Sequence, residues 1–85
     1  MFYVYVLVSE LKSLRFYVGL TCNVENRLQE HNSGKTKSTK GYLPWKLFYT
    51  EKFTTRGEAR EREKYLKSGT GKEKIKKKWA QNLKK

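Results

Sequence analysis

"FYVGLTCNVENRLQEHNSG", residues Phe16 to Gly34, runs from a strand-like stretch straight into a helix-like one. Phe16, Val18 and Leu20 alternate with Tyr17 and Gly19, the period of a strand with one apolar face. Asn23 then offers an N-cap, and a helix from Val24 to about Asn32 ends at the Ser33-Gly34 pair. On that helix Arg27 and His31 stand four apart and share one face, which also borders Val24 and Leu28. Tyr17, Gly19, Arg27 and His31 are therefore either an apolar edge with some surface charge or parts of one polar site.

Upstream, "MFYVYVLVS" is β-branched and aromatic and reads as a strand, separated from the next by the polar "ELKSL". So short a connection makes an antiparallel hairpin. Phe2, Val4, Val6 and Val8 point to one side of it, and Tyr3, Tyr5 and Leu7 to the other. If the purely apolar sets share a face, Tyr5 and Tyr17 share the opposite one. Pairing Tyr5 across from Tyr17 centres the turn near Leu11.

Downstream, "KTKSTKGYLP" is a basic loop of small residues, and "WKLFYTEKF" is a third strand. Thr55 caps a helix through "RGEAREREKYLK" that stops at "SGTG". A basic last helix over 72–85 carries Ile75, Trp79 and Leu83 at intervals of four. The order ββαβαα gives an α+β domain, a small three-stranded antiparallel sheet flanked by helices. Eighty-five residues form one such domain, 1–85. Twelve aromatic residues (two Trp, six Tyr, four Phe) supply burial in a chain that is 33% charged.

A formal net charge of +12 exceeds what solubility needs, roughly 2–8 in magnitude for a small domain, and points to a polyanionic partner, most often nucleic acid. The single cysteine, Cys22, excludes an internal disulfide and a Cys-rich zinc site. The opening apolar run of eight residues is too short for a signal peptide or membrane span, so a cytoplasmic protein without membrane contact is expected.

Each polar candidate has a plain structural reading beside a chemical one. Arg27 can lay its stem on the core edge with its head in water, and a lone histidine near a core is commonly structural. Glu63 follows Ala59 and precedes Leu66 at helical spacing, with Arg62, Lys64 and Lys67 around it. It can form an ordinary ion pair, or it can hold Mg²⁺, which often takes only one or two carboxylates. The tail lysines, including Lys72, Lys76 and Lys77, together with Lys35, Lys37 and Lys40 of the loop, form solvated faces or touch phosphates. In the second case binding weakens with salt, by roughly 0.9 in log–log slope per phosphate neutralised.

These positions resemble the GIY-YIG nuclease superfamily, and most closely its short, stand-alone bacterial proteins. Tyr3-Val4-Tyr5 stands for the Gly-Ile-Tyr motif and Tyr17-Val18-Gly19 for Tyr-Ile-Gly, with eleven residues between Tyr5 and Tyr17. "NRLQEHNSG" matches the Arg-x-x-x-His-Asn-x-Gly segment, and "EAREREKYLK" the helix bearing the family's glutamate. The resemblance implies the GIY-YIG fold and an endonuclease that hydrolyses DNA, in preference to RNA, with one Mg²⁺ or Mn²⁺ ion. By the same resemblance Glu63 holds the ion and Arg27 the scissile phosphate. Tyr17, with Tyr5 or His31, orients or deprotonates the attacking water, and Gly19 lets the backbone pass close to the site. Lys67 joins the residues that bind nucleic acid. Low sequence specificity, or a partner protein that supplies targeting, is the corollary of so small a chain. The alternative is a basic nucleic-acid-binding module that keeps the fold without cleaving.

Overall fold

The computed structural model describes residues 1–83. Strands β1 (Phe2–Ser9), β2 (Arg15–Thr21) and β3 (Lys46–Phe53) form one antiparallel sheet in the order β2-β1-β3. Helix α1 (Val24–Asn32) follows β2, a 3₁₀ turn at Lys40–Tyr42 interrupts the basic loop, and α2 (Arg56–Lys67) and α3 (Gly69–Leu83) follow β3. This is the expected α+β order.

The alternation along β1 divides the core in two. Val4, Val6 and Val18 face Ala59 and Leu66 of α2 and Ile75 of α3. Tyr5 and Leu7 face the other way, against Trp45, with Tyr17, Val24 and Leu28 packed on them. Helix α1 and the basic loop thus cover one face of the sheet, and α2 and α3 cover the other. On the α2/α3 side, β3 shifts register by one residue opposite Val6 and Leu7. An extra residue in one strand turns consecutive side chains to the same face, and Phe48 and Tyr49 both pack on the α2/α3 cluster. Phe48 also lies 6.1 Å from Phe16 and 5.2 Å from Trp79, ring centre to ring centre.

Local chemistry fixes the helix ends. The Asn23 side chain accepts from Asn26 N–H (3.1 Å), and Thr55 Oγ1 accepts from Glu58 N–H (3.2 Å). Helix α1 stops at Ser33, followed by Gly34 with φ +82°.

The structure corrects two expectations. In the hairpin Tyr5 stands opposite Gly19, not Tyr17, whose partner is Leu7. The slip is two residues, so every side chain keeps its face. Gly19 is the position in β2 that accepts the Tyr5 ring lying across it. The last helix begins at Gly69, not at residue 72. The glycines of "SGTG" do not stop the chain's helical course, because Ser68 ends α2 and starts α3 without a linker: its hydroxyl donates to Tyr65 C=O (2.5 Å) and accepts from Gly71 N–H (3.3 Å). A Cβ at Gly71 would fall 2.5 Å from Leu66 Cα, so the glycine permits the tight corner between the helices. The expected contact of Leu83, and Lys84 and Lys85, lie outside the described residues.

Candidate active site

The core face carrying Tyr5 also carries a connected polar chain. Tyr5 is 1% exposed, yet its hydroxyl sits between two groups of α1: His31 Nε2 at 3.1 Å and Arg27 Nε–H at 3.3 Å. Beyond the imidazole, His31 Nδ1 is 2.9 Å from Thr39 Oγ1, and that hydroxyl reaches Thr36 C=O at 3.4 Å. One consistent set of proton directions runs through the chain. Thr39 donates to the carbonyl, so it accepts from His31 Nδ1–H. Nε2 is then the bare nitrogen and accepts the Tyr5 O–H, while Arg27 donates to the Tyr5 oxygen.

The charges follow the geometry. Burial holds His31 below its usual range, and the Arg27 charge lowers it further, so the imidazole is neutral. Burial pushes the Tyr5 phenol up to about 12, against the lowering pull of Arg27. Tyr5 therefore stays protonated and donates to His31.

Three neighbours hold this chain in place. Gly19 leaves the space the Tyr5 ring fills: a Cβ there would lie 2.8 Å from Tyr5 Cε1 and still closer to Cζ and Oη. Tyr17 stacks edge-on against His31, with ring centres 4.7 Å apart, and lies 6.3 Å from Tyr5. Trp45 donates its indole N–H to Thr39 C=O (2.9 Å). Asn32 in turn grips Trp45 twice, accepting from its backbone N–H (2.6 Å) and donating to its C=O (2.9 Å). Thr39, Trp45 and Asn32 had no role in the sequence reading. Only Asn32 carried a signal, its place beside His31 in "HNSG".

Arg27 is the most open member, with its side chain 34% exposed. One N–H goes to Tyr5 and Nη1 bonds Glu30 Oε2 at 2.7 Å. A guanidinium has five N–H donors, so donors remain for an oxyanion. The Glu30 pair is solvent-exposed, a kind worth about 0–1 kcal/mol, and yields readily to one.

Glu63 lies on α2, across the sheet from Tyr5, and its negative charge is the least of the influences that raise or lower the Tyr5 phenol. Of the bases expected around it, Lys67 pairs with it, Nζ to Oε2 at 3.1 Å. Arg62 does not: it forks onto Glu51 of β3 at 2.8 and 3.2 Å. The Glu63 side chain is 16% exposed. Among the described residues no three His, Cys, Asp or Glu cluster as a metal cage. A lone carboxylate suits a hard ion that completes its shell with water and phosphate oxygens, as Mg²⁺ does, and not one that demands several protein ligands.

The lysines fall into separate groups. Lys67, Lys72 and Lys76 line a groove that also contains Tyr17. Lys35, Lys37 and Lys40 are exposed on the loop whose Thr39 holds His31, and Lys77 is exposed on α3 outside the groove.

Comparison with known proteins identifies the family. The family model described as the GIY-YIG catalytic domain matches residues 1–78. A UPF0213 protein of Bacillus licheniformis is 48% identical over 66 residues, covering 76% of this chain and 66% of its own. One from Clostridium perfringens is 43% identical over 74 residues, covering 86% and 77%. The solution structure of a UPF0213 protein from Bacillus halodurans is similar at 36% identity, covering 86% of this chain and 81% of that one, with a TM-score of 0.47. The family model spans nearly the whole chain, and with it the tyrosines, the arginine–histidine helix and the glutamate helix: the chain belongs to the GIY-YIG family.

Proposed function

We propose that this domain is a divalent-metal-dependent endonuclease that hydrolyses DNA phosphodiester bonds with low sequence specificity. The observation that carries the reading is the Arg27–Tyr5–His31 chain, which holds in place a partly exposed guanidinium with N–H donors to spare for a phosphate. Family membership supports a nuclease-type activity, and the charge of +12 supports a nucleic-acid partner.

Each residue has a separate task. Arg27 holds a non-bridging oxygen of the scissile phosphate and offsets the charge that grows as water adds to phosphorus. Tyr17, only partly buried, orients the attacking water. Tyr5 and His31 are shut away from solvent, so they act through others: Tyr5 fixes the pose of Arg27, and His31 fixes Tyr5. The new P–O bond forms as the bond to the 3′ oxygen breaks, and the proton of the water passes to a phenol or to solvent. Mg²⁺, or Mn²⁺ in its place, would be held by Glu63 and when bound supplies polarisation of the phosphate and stabilisation of the leaving oxygen. Cys22 is an exposed free thiol, which suits the reducing cytoplasm. Among the described residues no helix is long and apolar enough to cross a membrane.

A second reading, a binding module without cleavage, draws on the Glu63–Lys67 ion pair, which already neutralises the acid. A nicking assay on supercoiled plasmid separates the two. The nuclease reading expects metal-dependent nicking that disappears in Glu63→Ala and Arg27→Ala while DNA binding survives. Equal behaviour of wild type and Glu63→Ala with Mg²⁺ and with Mn²⁺ leaves only the binding module.

A further inference from the structure

A groove of about 520 Å³ wraps the free edge of β2 and runs from Tyr17 towards the hairpin tip. This volume lies within the ~300–1,000 Å³ range of small-ligand sites. Its apolar lining includes Phe16, Val18, Ile75 and Leu14, the last left 47% exposed. Its rim is basic, with Arg15, Lys67, Lys72 and Lys76 and no acidic residue in the lining. Among the described residues β2 pairs only with β1, so the groove also runs along the backbone N–H and C=O groups of an open sheet edge.

We propose that this groove receives one unpaired nucleotide of the strand being cleaved, with its base against Leu14 and Phe16 and its phosphates on Lys72 and Lys76. This rests on the reading above, that a phosphodiester sits at Tyr17 and Arg27, and it names the substrate: single-stranded or flapped DNA, in preference to uninterrupted duplex. Continuity decides the occupant. Tyr17 and Lys67 line the groove and also touch the site, Tyr17 through His31 and Lys67 through Glu63. A strand that carries its scissile phosphate past Tyr17 meets the groove on the other side of that ring. A base in the groove has apolar and aromatic surface for its face and strand-edge groups for its polar rim. A paired base would have to leave its duplex first, which favours strands already open. A second copy of this chain would bring another +12 of charge against a basic rim.

The test is binding without cleavage: anisotropy of a labelled 15-nucleotide single strand in EDTA, replacing one nucleotide at a time with an abasic residue. One position, or two adjacent ones, should weaken binding by roughly tenfold, the effect of losing one base–aromatic stack. Leu14→Asp should remove that position dependence; circular dichroism checks its fold, which an exposed turn residue leaves intact. A blunt duplex of the same length should bind more weakly than the single strand. A flat abasic profile in wild type, or a duplex bound as tightly as the single strand, overturns the proposal. Concentration-dependent dimers abolished by Leu14→Asp would give the groove to a second copy and also overturn it. The two readings fail separately: a flat profile beside intact plasmid nicking removes only the groove, and a clear profile without nicking removes only the catalysis.

Discussion

Gly19→Ala should be among the most damaging single-methyl changes in this molecule. Taken alone, alanine in a strand is the better residue by roughly 0.5–1 kcal/mol, since glycine loses more backbone freedom on folding. Here the added carbon falls 2.8 Å from Tyr5 Cε1 and nearer to the phenol end. Leu7 and Trp45, which pack with Tyr5, are themselves buried, so the ring cannot move without cost. Overpacking of this kind costs about 1–3 kcal/mol. If the ring swings away instead, the bonds to His31 and Arg27 are lost, at about 1 kcal/mol each, and His31 Nε2 is left buried without a partner. The expected loss is about 2–4 kcal/mol, measured by urea unfolding followed by circular dichroism. The clash is with the far end of Tyr5, so Tyr5→Leu should abolish it. In that background Gly19→Ala should be neutral or stabilising, a coupling of at least about 2 kcal/mol. An equal cost of Gly19→Ala in both backgrounds would refute the steric account.

Two further outcomes follow from the site. His31 is depressed by burial and by Arg27, so the folded state holds its proton less tightly than the unfolded chain does. Stability should be level above about pH 6.5, the ordinary value, and fall as pH drops through the lowered value of the folded state. Denaturation midpoints across that window should show the slope in wild type and not in His31→Gln; parallel curves would contradict it. Lys67→Ala frees Glu63 of its partner, so Mn²⁺ affinity by isothermal titration should rise about two- to fivefold, the worth of an exposed pair. The log–log salt slope of single-strand binding should shrink by about 0.7 in the same variant.

What the sequence made legible depended on periodicity. Alternation in β1 and β2 places Tyr5 and Tyr17 together, and a spacing of four places Arg27 with His31. These are local rules, and they held. The hairpin register was not legible, because a slip of two residues keeps both faces intact; it was decided by the fit of one ring over one glycine. Thr39 and Trp45 were not legible either, since a threonine in a basic loop carries no period. Their roles arise from a contact eight residues away from His31 and an indole bond to the same loop. Glu63 lay between these cases. Its helical position was readable, but its partner among three neighbouring bases was set by β3, where Glu51 took Arg62 and left Lys67.

The most direct measurement is the position of a bound ion. With a single-stranded oligonucleotide present, Mn²⁺ should broaden amide signals of the ¹⁵N-labelled protein, first around Glu63 and then around Tyr17 and Arg27. Glu63→Gln should lose that localised broadening while still binding the oligonucleotide. Broadening that is centred elsewhere, or that persists unchanged in Glu63→Gln, would contradict the account.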